Sequence, residues 1–217
     1  MSSDTYHHGH LREALLKAAQ VQIAEEGYQS LNLSKLARQV GVSQPAVYRH
    51  FANKQTLIFS VVEEGFTLLI QKLDSAAENA SLATMLSGHQ QDDDLLKGIE
   101  AIVKAYIDFA LKHRELARLM FSLKERATEP QLYKISKQAA LPLFQLVEIG
   151  QQRYGLKVDD HQQAVRLMWA TMHGLAMLLI DDQLPYVTQT PGEIEIHTQA
   201  TAQLLHSGLF RCDSELD

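Results

Sequence analysis

The chain has 217 residues, 46% of them hydrophobic, which is enough to bury a sizeable core in one large domain or in a small and a larger one. Only 5 prolines and 11 glycines favour long regular elements, and a single cysteine, Cys212, excludes an internal disulfide. The net charge of −6 is unevenly placed: residues 1–60 carry +2 and the remainder −8, so only the N-terminal end suits a polyanion.

The polar, histidine-rich start lacks an apolar leader core, and the longest apolar run, 167–180, falls short of the roughly 20 residues that span a bilayer. A soluble cytoplasmic protein is expected, with no membrane partner. Spacing predicts a first helix over 10–26, with Leu11, Ala14, Leu15, Ala18 and Val21 facing inward and Gly27 as its stop. Asn32 caps a short helix over 33–40, which Gly41 ends. Ser43 caps a second short helix over 44–50, with Pro45 in the first turn, where its missing N–H costs little. Asn53 opens a long helix to about residue 75, with Leu57, Val61, Phe66, Leu69 and Leu73 inward. Residues 76–94, which end in Asp92-Asp93-Asp94, read as a solvated loop.

Further helices are expected over about 94–112 and 114–122. A long helix over 129–154 is expected to kink at Pro142. An apolar helix over 159–180, a loop over 184–191 and a last helix over 193–206 complete the chain. No strand or repeat is visible. The expected fold is all-α with about nine helices: a three-helix domain over 10–56 and a helical bundle over 57–217.

The segment 33–50 has the layout of a helix-turn-helix. Ala37 permits close crossing, Gly41 tolerates a left-handed turn, and Val47 and Phe51 face back four residues apart. Gln44, Pro45, Tyr48 and Arg49 are left facing outward. A purely structural helical hairpin would also fit the spacing, but an exposed Gln-Pro-x-x-Tyr surface then has no use. On DNA, Gln44 could read a base edge, and Pro45 or Ala46 a thymine methyl. Tyr48, His50 and Lys54 suit phosphate oxygens, and so do Ser34 and Lys35 at a helix start with free N–H groups.

The run Gly41-Val42-Ser43-Gln44-Pro45-Ala46-Val47-Tyr48-Arg49-His50-Phe51, followed by Asn53-Lys54 and Leu57, resembles the DNA-binding domain of the TetR family of bacterial repressors. Ala18, Ala19 and Glu26-Gly27-Tyr28 fit the alanine-rich first helix of that family. The resemblance implies that Gln44, Pro45 and Tyr48 contact the operator and that Lys54 holds a phosphate; with the residues read from their chemistry, the expected DNA-facing set is Ser34, Lys35, Ser43, Gln44, Pro45, Ala46, Tyr48, Arg49, His50 and Lys54. Ser34 departs from the resemblance, because the family's namesake carries a base-reading arginine there, so operator sequence does not transfer. Tyr6-His7-His8-Gly9, Phe109-Ala110 with Leu119-Met120-Phe121, and Trp169 with His173-Gly174 resemble the branch named for a Trp-His-Gly signature, although its proline near His113 is absent.

That resemblance implies a small-molecule effector and a homodimer through the last two helices. Tyr106, Phe109, Met120, Phe121, Phe144, Met168, Trp169, Met172 and His173 are the candidate pocket residues, since methionines and aromatics make adaptable walls. For each residue singly, ordinary core packing is the competing reading. Ile194, Ile196, Ala200, Leu204 and Leu205 form a candidate dimer seam, against packing within one subunit. The His7-His8-Gly9-His10 cluster is a poor preformed metal site and reads better as an arm. No metal, cofactor or catalytic constellation is expected: there is no P-loop, dinucleotide turn or nucleophile elbow. The alternative function is a helical carrier or an enzyme using the C-terminal pocket.

Overall fold

The computed structural model describes residues 7–82, 94–124 and 128–211. Tyr6, the 83–93 part of the expected loop and Cys212 lie outside them, and the start of that loop, 76–79, instead continues the preceding helix. The described residues hold eleven α-helices and one 3-10 turn; they form no strand, only an isolated bridge between Leu156 and Phe210. They fall into two compact units.

The first unit runs to Thr67 and adds His113–Ile135. It contains α1 (His7–Glu26), a 3-10 turn (Tyr28–Ser30), α2 (Leu33–Val40), α3 (Gln44–His50), the start of α4 (Lys54–Asn79), α6 (Arg114–Ser122) and the start of α7 (Pro130–Gln138). On α1 the inner face differs from the expected one. Leu15, Leu16, Ala19 and Ile23 are buried, whereas Val21 is 45% exposed and Ala14 and Ala18 are half-buried. Apolar residues wrap more than half of this helix, so periodicity alone does not choose between two neighbouring stripes. The expected inward set on α4 is found: Leu57, Val61, Phe66, Leu69 and Leu73 are all fully buried. Asn53 caps this helix through its carboxamide oxygen, which accepts from the Thr56 N–H at 2.9 Å. Phe66 packs edge-on against Phe121 at 5.8 Å, and a Cβ on Gly65 would come within 2.7 Å of the Met120 sulfur.

The second unit comprises Leu68–Lys112 and the chain from Ser136. Its central helix is α5 (Asp94–Lys112), which packs against α8 (Leu141–Tyr154), α9 (His161–Ile180) and α11 (Glu193–Leu209). Leu95, Ile99, Ile102, Val103, Tyr106 and Phe109 line its buried side at helical spacing. The expected long helix over 129–154 is instead two, α7 and α8. Pro142 does not kink a continuous helix but sits, buried, in the first turn of α8 after a break at Ala139-Ala140. A proline lacks the N–H of an interior turn and clashes with the carbonyl four residues back, so beginning a new helix costs less than bending the old one. The expected loop over 184–191 contains a short helix, α10 (Pro185–Gln189).

α9 is long and apolar enough to cross a membrane by length and composition. Ala164, Val165, Met168, Met172, Ala176, Leu179 and Ile180 are nonetheless buried within the unit. The end of α11 is latched onto the α8–α9 connection. Lys157 N–H donates to the Leu209 carbonyl at 2.8 Å, and Arg211 N–H to Gly155 at 3.1 Å. The Phe210 ring lies over Gly150, where a Cβ would meet it at 2.1 Å.

Beside this latch His206 faces the Tyr154 ring at 5.9 Å and the Phe210 ring at 6.1 Å. Burial pushes its imidazole below the ordinary histidine range. The folded state therefore favours the neutral ring, while the unfolded chain takes up its proton at the higher, ordinary value of about 6.5. Unfolding is thus coupled to proton uptake as pH falls below that value, and stability drops. A His206→Gln variant is expected to lose less Tm than the parent between about pH 7 and pH 5. Parallel pH profiles for the two proteins would rule this out.

Candidate nucleic-acid interface

The helix-turn-helix is built by local chemistry. The Asn32 carboxamide oxygen accepts from the N–H groups of Ser34 at 2.9 Å and Lys35 at 3.1 Å, fixing the start of α2. At its end Gly41 takes a left-handed φ of +75°, and the Val42 N–H donates back to the Ala37 carbonyl at 2.9 Å. Leu36, Ala37, Val47 and Phe51 close the wedge between α2 and α3, all buried. Arg12 lies over the Phe51 ring at 5.4 Å and donates to the Ser60 hydroxyl, tying α1 to this corner and to α4.

No atom lies within 4 Å of a Cβ placed on Gly41, so substitution there meets only backbone strain. Gly41→Val is expected to cost about 1–2 kcal/mol, read as a lower urea midpoint with an unchanged slope. An unaltered midpoint would mean that the turn relaxes to another conformation.

The outward face of α3 matches the expected one. Gln44, Pro45, Tyr48 and Arg49 are exposed, with Tyr48 at 46%, and Ala46 and His50 are half-buried. Gln44, Tyr48 and Arg49 make no hydrogen bond or ion pair among the described residues. Ser43 occupies the cap position but its hydroxyl makes no cap bond, so it too remains available.

Three expected phosphate contacts are placed differently. The N–H groups of Ser34 and Lys35 are not free: the Asn32 side chain occupies both. Lys35 forms an ion pair with Glu26 at the end of α1, and this pair holds the Glu26 carboxyl below the usual carboxylate range. The Lys54 ammonium donates to the Gln29 carbonyl at 2.9 Å. That bond, with Gln22 Nε2 donating to Ser30 O at 3.1 Å, braces the 3-10 turn between α1 and the start of α4. The buried Gln22 and these braces carried no sequence signal, because each joins residues across a turn that spacing did not reveal.

In the second unit Tyr106, Trp169 and His173 come together. The Tyr106 hydroxyl is 2.7 Å from His173 Nδ1. Tyr106 meets the Trp169 ring edge-on at 5.4 Å, and Trp169 stacks on His173 with an interplanar angle of 17°. The hydrogen bond satisfies a polar group on an otherwise apolar helix. Phe109, Met168 and Met172 are buried in the same unit. Phe144, an expected pocket residue, is instead 43% exposed on the outer side of α8, beside Leu141. Met120 and Phe121 belong to the first unit, packed on Gly65 and Phe66.

The expected seam on the last helix divides as well. Ile196 and Leu204 are 56% and 63% exposed and Ala200 is exposed, but Leu205 is buried in its own subunit and Ile194 is half-buried. On α9, Leu167, Ala170, Gly174 and Leu178 form a second outward stripe, with open space over Gly174.

A helix-turn-helix with an exposed, polar-aromatic outer face, in a chain whose other described residues are largely helical, defines the class of helical DNA-binding regulators. Residues 15–61 match the model described as bacterial regulatory proteins, tetR family, and residues 99–201, which include Trp169, His173 and Gly174, match the tetracyclin repressor-like C-terminal domain. The chain belongs to the TetR family.

The nucleoid occlusion factor SlmA of Aliivibrio fischeri (strain MJ11) is 33% identical over 110 residues, 50% of each chain. The chain spans about half the length of curated relatives such as this. A solved structure of a protein of unknown function from Rhodococcus sp. RHA1 is 28% identical, with a TM-score of 0.77, covering 96% of this chain and 100% of that one. The structure of FadR from Bacillus subtilis in complex with stearoyl-CoA has the same fold at 19% identity and a TM-score of 0.64, covering 90% of this chain and 98% of that one.

Proposed function

We propose that the chain is a dimeric repressor that leaves a palindromic operator when a small apolar ligand binds its C-terminal bundle. The observation that carries this reading is the outer face of α3, where Gln44, Pro45 and Tyr48 are exposed and Gln44 and Tyr48 make no polar contact among the described residues. Each subunit lays α3 in a major groove, Gln44 reading a base edge and Tyr48, Arg49 and His50 meeting the backbone. Ser34 and Ser43 add hydroxyl donors at the flanks. Residues 10–56 form the reading module and 57–217 the sensing and dimerising one.

The outward stripes on α9 and α11, with Leu167, Leu178, Ile196 and Leu204, pair with those of a second subunit. Small residues at Ala170, Gly174 and Ala200 let the helices approach closely. The two recognition helices then stand about 34–36 Å apart, one turn of DNA. The effector sits by Tyr106, Trp169 and His173, whose aromatic faces and single polar pair suit an apolar molecule with one hydrogen-bonding group. Family kinship and the occurrence of this fold around stearoyl-CoA in FadR are consistent with that class. The effector releases DNA because it binds more tightly to a conformation with the wrong helix separation.

A footprint on the promoter of the protein's own or the neighbouring gene tests the reading. A protected palindrome is expected, with protection lost on adding long-chain acyl-CoA or another apolar ligand. Turnover of such a ligand without any protected site would overturn it.

A further inference from the structure

Arg12 is an exposed cation that the fold nevertheless holds in place. From α1 its guanidinium lies over the Phe51 ring, 5.4 Å from the centroid, and its Nη2 donates to the Ser60 hydroxyl at 3.2 Å. The two anchors come from different elements of the first unit: Phe51 closes the C-terminal end of α3, and Ser60 lies in the second turn of α4. Phe51 is buried and Arg12 is exposed, so the guanidinium is the solvent-facing cover of the point where the recognition helix ends.

A guanidinium carries several N–H donors, of which the Ser60 bond uses one. Arg12 makes no ion pair among the described residues. Glu13 is its neighbour in sequence, and adjacent residues on a helix do not face each other. Glu64, one turn beyond Ser60, feels the Arg12 charge, but its carboxylate accepts from Gln20 Nε2 at 2.7 Å. The other basic side chains around α3 are differently placed. Lys35 is paired with Glu26, Lys54 donates to the Gln29 carbonyl, and Arg49 has no hydrogen bond to orient it. Arg12 alone of these is both fixed in direction and left with donors to spend.

We propose that Arg12 is a further phosphate ligand of the operator complex, a role that rests on the docking of α3 in the major groove. Tyr48, Arg49 and His50 form the last turn of α3, immediately before Phe51. A strand that meets this turn also passes the guanidinium stacked on the Phe51 ring. The planar fork of arginine matches two oxygens of one phosphate, and a side chain already oriented by a ring and a hydroxyl gives up little freedom on binding. Arg12 carries no base readout there. It fixes the register of α3 on the duplex and supplies charge.

The test follows binding of the full chain to its footprinted operator by anisotropy over a range of salt, for the parent, Arg12→Gln and Arg12→Lys, beside thermal melts. Each neutralised phosphate contributes about −0.9 to the slope of log affinity against log salt, and a dimer holds two such contacts. Arg12→Gln is therefore expected to flatten the slope by roughly 1.8 and to weaken binding about tenfold or more at low salt. Arg12→Lys keeps the charge without the fork, and should keep the slope while losing part of the affinity. A second measurement scans neutral methylphosphonate linkages along each half-site. One linkage should weaken the parent and cost Arg12→Gln nothing further.

A purely structural brace among α1, α3 and α4 would lower the melting temperature of Arg12→Gln but leave the salt slope alone, and that result overturns the phosphate contact. So does a methylphosphonate scan that is the same for parent and variant. Both leave the docking of α3 standing. A parent that binds no operator overturns the docking and the Arg12 contact together.

Discussion

Replacing Tyr48 by alanine is expected to lower operator affinity by at least about tenfold while leaving the fold intact. The side chain is 46% exposed and makes no hydrogen bond, ion pair or ring contact among the described residues, so its removal orphans no polar group and opens no enclosed cavity. A phosphate or base contact is worth about 1–3 kcal/mol, and a dimer loses it twice. Each 1.4 kcal/mol is tenfold in affinity. The measurement is a gel shift on the footprinted operator, beside a thermal melt. An unchanged Kd would remove Tyr48 from the interface and, with it, the assignment of this face of α3. Lys54→Ala is a poorer probe, because its ammonium also braces the Gln29 carbonyl and its loss would loosen the unit.

Gly150→Ala carries the largest expected effect on stability. Here the backbone conformation is ordinary and the constraint is space: the added methyl would lie 2.1 Å from the Phe210 ring and within 2.6 Å of two more of its carbons. An aromatic ring is stiff, and its neighbours fix it. Phe210 is itself fully buried, and the chain on either side of it is hydrogen-bonded to the α8–α9 connection. Either the ring leaves its seat or the end of α11 shifts. Overpacking of this kind costs about 1–3 kcal/mol, or several degrees of Tm for a chain of this size. Truncating the ring as well should recover part of the loss, so that Gly150→Ala is milder in a Phe210→Ala background. Additive effects in the double variant would place the ring elsewhere.

The recognition segment was the most legible part of the sequence. Its devices are local: an Asn cap, a glycine that must turn left-handed, and apolar residues four apart. Each acts within a few residues, so spacing reveals it. The inward face of α4 was equally plain, because Leu57, Val61, Phe66, Leu69 and Leu73 follow one helical stripe, with Val62 buried beside it.

Features that depend on distant partners were not legible. On α1 two apolar stripes compete, and only the packing of α2 and α6 decides for Leu15, Leu16, Ala19 and Ile23. Phe144 was grouped with the interior aromatics by residue type, yet its register on α8 points it outward, since the buried positions are Leu143, Leu146 and Val147. Leu205 shows the converse: one position beyond an exposed Leu204, it turns back into its own core. The pairing of Lys35 with Glu26 joins residues nine apart across a 3-10 turn, where no periodicity applies.

That last pairing changes what kind of DNA contact this protein can make. Lys35 is paired with Glu26, and the first N–H groups of α2 are engaged by Asn32, before any duplex is met. On the proposed reading, binding is expected to displace few condensed counterions per subunit, chiefly through Arg49 and Arg12, because Lys54 is held by the Gln29 carbonyl. Affinity for DNA falls with log salt in proportion to the phosphates neutralised, at a slope of about −0.9 for each. The proposed interface is then expected to hold its operator mainly by hydroxyl, amide and aromatic contacts, seen as a shallow dependence of operator affinity on salt. Non-specific DNA, which offers little beyond phosphate charge, gains correspondingly little hold on it.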